Sequence, residues 1–202
     1  MSAIRDVETL RTLYATPSER ALNKEIAELD VHCTQFISLS PFCLLTTVKS
    51  DGTPDISPKG GQPGFVRVVD EHTMLMPDSL GNNRLDSISN ATANPNVAFL
   101  FLIPGVDETL RVYGTTKIVP GEEFANEFTD ERRPPKTVLR VNVTKAFLHC
   151  AKALMRSELW SEEAKIERSL LPTMGEMMKD HTCDTGPVES QEAMLARYAE
   201  LL

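Results

Sequence analysis

The rhythm of apolar positions changes near residues 41 and 161, and this divides the chain into three regions. Leu22, Ile26 and Leu29 recur at spacings of four and three, which predicts a helix capped by Ser18. Residues 30–39 predict another short helix, and helical patterns return around residues 166–178 and 191–202. We therefore predict an N-terminal helical extension at 1–40, a central domain at 41–160 and a C-terminal helical arm at 161–202.

The central domain carries the signals of β-strands. Residues 42–48 are apolar and β-prone, a turn signal follows, and an extended stretch resumes at Pro54, which together predict a hairpin. A second hairpin is predicted around Asp70-Glu71-His72. The continuous apolar run at 96–103 predicts a strand buried on both faces, and alternation at 109–118 and 137–147 predicts two more strands.

Few helices interrupt these strands. Helical spacings occur at Leu85, Ile88 and Ala91, at Phe124 and Phe128, and along residues 150–160. Six or seven strands, mostly joined by short turns, favour a mainly β fold in which helices flank a small antiparallel barrel. The Leu and Met side chains of the C-terminal arm need an apolar partner surface. This favours packing on the same domain or on a second subunit over a free regulatory tail.

Composition and charge exclude several classes of protein. With 202 residues, 41% of them hydrophobic and 25% charged, the chain has the profile of a water-soluble globular protein. The net charge of −8 argues against sequence-independent binding of nucleic acid or of an anionic membrane. The longest apolar run ends at Pro104 and is too short to span a bilayer. The acidic N-terminal stretch does not resemble a signal peptide, so we expect a cytoplasmic protein.

The acidity lies mostly outside the central domain. Residues 161–202 carry a net charge of −5 and residues 1–40 a net charge of −2, which leaves −1 for residues 41–160. An anionic small ligand would therefore not be repelled by the central domain. Four scattered cysteines show no zinc-ligand spacing, so we expect reduced thiols and no metal site.

The first candidate segment is Ser57-Pro58-Lys59-Gly60-Gly61, which follows a predicted strand. It joins a hydroxyl, an ammonium and two glycines whose bare backbone permits close approach by a phosphate or a ring. A plain solvated turn is the structural alternative.

The second candidate segment, residues 78–87, is predicted to be a loop entering a helix. Asn82 or Asn83 is placed to cap that helix, and Arg84 would then lie in its first turn. The helix dipole disfavours a cation there unless an anion lies beside it. Either Asp86 or a ligand phosphate can supply that anion, and a guanidinium at a helix N-terminus makes a good phosphate clamp.

The third candidate set is His149, Lys152, Arg156 and Trp160, whose spacings place all four on one face of the predicted helix. In one interpretation the bases complement the helix dipole and Trp160 covers the core. In the other, the tryptophan and the cations stack on and stabilise a reduced planar heterocycle. The signatures of P-loop, Rossmann, α/β-hydrolase and zinc-protease sites are missing.

Further motifs accompany these segments and carry a family signal together with them. They are Ser40-Pro41-Phe42, Asp55-Ile56-Ser57-Pro58-Lys59-Gly60, Pro63-Gly64-Phe65-Val66-Arg67-Val68, Gly81-Asn82-Asn83-Arg84-Leu85-Asp86-Ser87, Phe101-Leu102-Ile103-Pro104-Gly105, Glu108-Thr109-Leu110-Arg111-Val112, and His149-Cys150-Ala151-Lys152-Ala153 through Arg156-Ser157 to Leu159-Trp160. The set resembles the pyridoxamine 5′-phosphate oxidase-like, FMN-binding split-barrel superfamily, in particular flavoproteins with a helical N-terminus. The resemblance covers most of residues 21–160.

This resemblance implies a homodimer of six-stranded antiparallel split barrels that buries FMN between its subunits, so that each flavin site draws on both chains. Ser57, Lys59 and Gly60 would lie near the flavin ring or ribityl chain, and Asn82 and Arg84 would hold the phosphate. Thr109 and Arg111 would contact the flavin from the partner strand. Lys152, Arg156 and Trp160 would close the site over the ring.

Departures from the family pattern bear on the substrate. The late W-G-G-type motif and the arginine-histidine pair of true pyridoxamine phosphate oxidases do not follow Trp160, so that substrate is not expected. The leading hypothesis is a flavin-dependent oxidoreductase acting on an unidentified small molecule, with no residue identified as an obligatory acid or base. The alternative is a non-catalytic flavin or haem binding module, a carrier, sensor or sequestering protein. The retained Lys59, Arg84 and Arg156 argue against a third hypothesis, a structural dimer with a decayed site.

Overall fold

The computed structural model of the chain describes residues 3–78 and 81–200. Its strands are β1 (Phe42–Val48), β2 (Pro54–Gly60), β3 (Arg67–Asp70), β4 (Thr73–Pro77), β5 (Asn96–Leu102), β6 (Thr109–Pro120) and β7 (Thr137–His149). Its helices are α1 (Val7–Thr12), α2 (Glu19–Leu22), α3 (Val31–Leu39), α4 (Asp86–Ala93), α5 (Lys152–Ser157), α6 (Met174–Thr182) and α7 (Gln191–Ala199), with 3-10 helices at Gly121–Phe128 and Arg168–Leu170.

The described strands form one antiparallel sheet in the order β2-β1-β5-β6-β7-β4-β3. This confirms the predicted mainly β fold with flanking helices and both local hairpins, β1–β2 and β3–β4. The described part of the chain has seven strands, one more than the six that the resemblance implies. None of its helices combines the length and the apolar composition that a bilayer crossing requires.

The core lies on the inner face of the sheet, beneath α3. Along β1, Cys43, Leu45 and Thr47 are fully buried while the residues between them are partly exposed. This period of two repeats on β5, where Phe99 and Phe101 are buried and their neighbours half-buried. Within the single chain β5 is therefore buried on one face and half-buried on the other, and not buried on both faces as predicted, because its outer face lies outside the core of the chain.

Long-range pairing shortens the first predicted helix. Ser18 caps α2 as expected, but α2 ends at Leu22, and Ile26 instead pairs with Ala146 of β7. Strand β4 pairs with β7 only as far as Asn142, so the later part of β7 has an edge that the N-terminal segment occupies. Because backbone groups on such an edge need partners, this pairing overrides the helical pattern of Leu22, Ile26 and Leu29.

Other helices follow the predicted pattern to different extents. Helix α3 begins at its cap Asp30, as predicted. The segment with Phe124 and Phe128 is a 3-10 helix in which Phe124 leaves helical geometry. In the arm, α6 starts at Met174, later than its pattern suggests, and α7 reaches the barrel through Arg133, which donates a hydrogen bond to the carbonyl of Glu200.

The thiols offer a direct test of this packing. Burial raises the pKa of both Cys33 and Cys43 to about 12, whereas Cys150 and Cys183 are exposed. A thiol is reactive as the thiolate, so at about pH 8 the buried pair is almost wholly protonated and shielded. We expect two thiols per folded chain to react rapidly with Ellman's reagent, and four after unfolding in guanidinium chloride. Rapid reaction of three or four thiols in the folded protein would contradict the described core.

Candidate functional site

Strand β2 holds the first group of candidate residues. Ser57 and Lys59 lie opposite Leu45 and Cys43 of β1, and directly opposed residues share one face of an antiparallel sheet. Both side chains therefore lie on the inner face, at its open edge. Lys59 Nζ is 3.7 Å from Asp78 Oδ1, at the end of β4, and both side chains are about four-fifths buried.

Gly60 ends β2 where the chain passes close to another backbone segment. A Cβ at this position would lie 3.3 Å from the Pro41 carbonyl oxygen, which is tighter than most such contacts. The bare backbone of Gly60 therefore accommodates the chain's own segment at Pro41. Close approach by a phosphate or a ring at this glycine stays a prediction.

The loop before α4 carries Asn82 and Arg84, and its backbone corrects the predicted helix start. Asn83 and Leu85 both have left-handed backbone angles, with φ of 59° and 57°. Helical geometry therefore begins only at Asp86, and Arg84 lies before the helix rather than in its first turn. The prediction that Asn82 or Asn83 caps α4 is wrong, because Leu85 occupies the cap and supplies no side-chain hydrogen bond.

The side chains of this loop are ordered by hydrogen bonds. Asn82 Oδ1 accepts from the backbone N–H of Arg84 at 3.1 Å, and Arg84 Nε donates to Asp86 Oδ2 at 2.8 Å. The sequence left two anions open as the partner of Arg84, the Asp86 carboxylate and a ligand phosphate, and the structure shows the contact with Asp86. The hydrogen bond from Arg84 to Asp86 and the charge of Asp86 raise the pKa of Arg84. The charge of Asp55 on β2 raises this pKa further. The Arg84 side chain remains 72% exposed, so it can also reach a ligand.

A polar network that sequence reasoning missed connects α4 to β1 and β2. Thr47 Oγ1 lies 3.5 Å from Asp55 Oδ2 and accepts a hydrogen bond of 3.1 Å from Asn90 Nδ2 of α4. Thr47 is fully buried, so the contact anchors α4 to β1 and, through Asp55, to the edge strand β2. No spacing in the sequence signals this network, because Thr47 and Asn90 are 43 residues apart.

The second group of candidate residues lies on β6 and β7. Thr109 is opposite His149, and Arg111 is opposite Phe147, with its Cζ 5.7 Å from the centre of that ring. Burial alternates along β6, with Leu110 and Val112 in the core, so Arg111 lies on the outer face. His149 Nδ1 is buried without a hydrogen-bond partner among the described residues. Burial lowers the pKa of His149, and the charges of Arg111 and Lys24 lower it further.

The predicted single helix face of His149, Lys152, Arg156 and Trp160 is wrong. His149 ends β7, α5 covers only Lys152–Ser157, and Glu158 leaves the helix with a φ of 50°. Arg156 Nε donates to the carbonyl of Lys152 at 2.9 Å, and both side chains are exposed. The indole Nε1 of Trp160 donates to the carbonyl of Val106 at 3.0 Å, which holds it against the β5–β6 loop.

The candidate residues thus fall into two groups. Lys59 and Arg84 lie around the inner-face edge of β2, close to acidic side chains. Arg111 lies on the outer face, three strands away, and Trp160 lies at the β5–β6 loop. Lys59 and Arg111 therefore lie on opposite faces of one chain's sheet.

This architecture, an antiparallel sheet with helices at its flanks, defines a split barrel. A family model described as Pyridoxamine 5′-phosphate oxidase matches residues 29–150, more than half of the chain. The protein belongs to this family, in which flavin binding is common. The matched range includes Ser57, Lys59, Arg84 and Arg111, while the segment from Lys152 to Trp160 lies beyond it.

Solved structures share the fold at low sequence identity. A single-residue variant of HupZ from Group A Streptococcus matches with a TM-score of 0.50 and 21% identity, over 60% of this chain and 99% of that chain. An F420 reductase matches with a TM-score of 0.42 and 22% identity, over 55% and 93%. HutZ, the heme storage protein from Vibrio cholerae, matches with a TM-score of 0.43 and 13% identity, over 59% and 94%. A search of curated proteins found no match.

Proposed function

We propose that this protein is an FMN-dependent oxidoreductase that acts on a small molecule. The observation that carries the proposal is the placement of two cations along β2, Lys59 on the strand itself and Arg84 before α4 under the charge of Asp55 of the same strand, in a fold family where flavin binding is common. A flavin supplies the redox chemistry when bound, so the protein has to bind, orient and electrostatically tune it.

The residues at this edge fit the phosphate end of FMN. Arg84 offers an exposed guanidinium, and Asn82 lies two residues away on a loop held by its own hydrogen bond. No side chain caps α4, so the backbone N–H groups of its first turn remain suited to an anion. A phosphate bound here would form a charge-assisted interaction with the Arg84 guanidinium, which also contacts Asp86.

The remaining candidate residues fit the ring end. Lys59 lies along β2 from this edge, where its ammonium can offset negative charge on a reduced ring. Ser57 offers a hydroxyl on the same face of β2 as Lys59, and Gly60 ends the strand next to Lys59. Lys152 and Arg156 are exposed cations on the short helix α5, before Trp160. In the proposal, this segment closes over the ring.

The opposite placement of the two groups supports a site shared within a homodimer. A flavin at the β2 edge of one chain is remote from Thr109 and Arg111 of the same chain, but a second copy can bring its own β6 alongside. The outer face also has the character of an interface. Leu44, Leu100 and Tyr113 line a depression of about 230 Å³, and Ile56 beside it is 64% exposed. Covering this apolar face is favourable at about 25 cal/mol per Å².

Turnover separates an enzyme from a binding module. The FMN-loaded protein is expected to be reduced by NADH or NADPH without oxygen, and to be reoxidised by air over repeated cycles. Tight flavin binding without turnover under either donor would indicate the alternative, a carrier, sensor or sequestering protein. Turnover of pyridoxamine phosphate is not expected, because the family motifs for that phosphate do not follow Trp160.

Trp160, the only tryptophan of the chain, reports on the ring end of the site. We expect its fluorescence to be strongly quenched in the FMN-loaded protein and to recover when the flavin is removed. Trp160→Leu is expected to weaken FMN binding by roughly 0.5 to 1.5 kcal/mol through lost stacking. Lys152→Met is expected to lower the flavin's reduction potential instead, because it removes a positive charge near the reduced ring.

A purely structural Trp160 gives a different pattern of results. Trp160→Leu would then lower thermal stability, because the hydrogen bond to Val106 is lost, and would leave FMN affinity per folded protein unchanged. Lys152→Met would have no effect on the flavin's reduction potential. That combination of results would remove Trp160 and Lys152 from the proposed site.

A further inference from the structure

Two carboxylates and an imidazole meet beside the turn of the β3–β4 hairpin. Glu71 and His72 form this turn, and Glu28 comes from the segment that leads into α3. One donor atom from each side chain lies within 4.8 Å of the other two. We call Glu28, Glu71 and His72 the hairpin-turn triad. The expectation of no metal site came from the spacing of the cysteines, and this triad contains no cysteine.

Backbone pairing holds the triad in place. The N–H of Leu29 donates to the carbonyl of Glu71 at 2.7 Å, and the Leu29 side chain is buried in the core. The carbonyl of His72 accepts from the N–H of Val143 on β7, also at 2.7 Å. The fold therefore fixes both segments of the triad, at the residue itself or at its immediate neighbour.

The contact between His72 and Glu28 has the spacing of two ligands of one ion. His72 Nε2 lies 3.8 Å from Glu28 Oε2, which is too long for a direct hydrogen bond. Two ligands of a tetrahedral zinc ion, each about 2.0 to 2.2 Å from the metal, lie roughly 3.4 Å apart. Both side chains are about half exposed, so they have room for the small rotations that would place an ion between them.

The charge of the triad favours a cation. Among residues 3–78 and 81–200, neither glutamate forms an ion pair with a lysine or an arginine. Carboxylates held close together repel each other, and a divalent cation between them removes this repulsion. Asp70, whose Oδ1 accepts from the N–H of His72 at 2.8 Å, adds a further negative charge beside the turn.

The donor atoms select the kind of metal. An imidazole nitrogen together with carboxylate oxygens suits zinc, whereas magnesium and calcium take oxygen ligands. We propose that the hairpin-turn triad binds one Zn²⁺ ion, which joins the N-terminal extension to the β3–β4 hairpin. The triad lies at the start of β4, whereas Asp78 beside Lys59 follows the end of that strand. The zinc site is therefore separate from the proposed flavin site and does not depend on it.

Calorimetric titration of the full-length protein with zinc chloride tests the site. Glu28→Gln and His72→Ala are each expected to weaken zinc binding at least about tenfold, since even residues behind the ligands change metal affinity by that factor. The control Glu122→Gln/His181→Ala removes an exposed carboxylate and an exposed imidazole elsewhere, and is expected to bind zinc as the parent does. Zinc held by the exposed thiols is the same background in every protein.

Amide hydrogen exchange at Leu29 shows whether zinc joins the two segments. A ligand that binds only the closed form slows exchange by the factor 1 + [Zn²⁺]/Kd, so about tenfold slower exchange is expected at roughly ten times the parent's Kd. At the same concentration, Glu28→Gln and His72→Ala are expected to show at most about twofold slowing. Without zinc, both variants are expected to unfold at the same temperature as the parent, because both side chains are exposed.

Three results would overturn the inference. One is equal zinc affinity in the parent, Glu28→Gln and His72→Ala proteins. Another is magnesium binding as tight as zinc binding and unaffected by His72→Ala, as expected of exposed acids without an imidazole ligand. The third is zinc binding that Glu28→Gln and His72→Ala weaken but that leaves exchange at Leu29 unchanged, since zinc would then not join the two segments.

Discussion

Replacing Arg84 with alanine is expected to weaken FMN binding by roughly 1.5 to 3 kcal/mol, the contribution of a hydrogen bond to a charged group. This corresponds to an increase in Kd of about 10- to 150-fold. Arg84 lies in an exposed loop and its ion pair joins it only to Asp86, so the fold is expected to persist. Titration of flavin-free protein with FMN measures the change, and thermal unfolding checks the fold.

Arg20→Ala is the matched control, because Arg20 is an exposed arginine on α2, outside the proposed site. Its FMN affinity is expected to equal that of the parent. An Arg84→Ala protein that is folded and binds FMN as tightly as the Arg20→Ala control would remove the assignment of Arg84 to the phosphate.

Phe101→Ala is expected to lower the free energy of unfolding by about 3 to 5 kcal/mol, because it removes a large side chain from a closely packed core. Phe101 is fully buried on β5, between Cys43 and Leu110, and its ring stacks on Phe99 at 5.9 Å. Denaturant unfolding gives the change directly. The control Val69→Ala, on an exposed position of β3, is expected to change stability by less than about 1 kcal/mol. Equal effects of the two substitutions would contradict the described core.

The strands of the barrel were predictable because their signals are local. The period of two along β1 and the turn signal before Pro54 fix a hairpin without reference to the rest of the chain. The β3–β4 hairpin around Asp70-Glu71-His72 follows in the same way. The chemistry-bearing residues Lys59 and Arg84 could be selected on similar grounds, since an ammonium beside glycines and a guanidinium before a helix are local patterns.

The errors have non-local or conformational causes. The helical spacing through Ile26 fails because that residue pairs with Ala146, 120 positions later. Left-handed backbone at Leu85 and at Glu158 moves the start of α4 and the end of α5, and neither residue type signals that conformation. Trp160 consequently lies on the β5–β6 loop rather than on the helix.

The placement of the candidate residues on two faces of the sheet was also beyond local patterns. Whether Lys59 and Arg111 share a face depends on the register across β2, β1, β5 and β6, which only the assembled sheet defines.

The central claim is a flavin site shared between two copies of the chain. Size-exclusion chromatography with light scattering and visible absorbance, run on protein incubated with FMN, tests mass and flavin content in one measurement. We expect a mass of twice 22.4 kDa with flavin absorbance equal to one FMN per chain, since a ligand that binds only the associated state promotes assembly. A species of 22.4 kDa fully loaded with FMN, or a dimer that retains no flavin, would contradict the account.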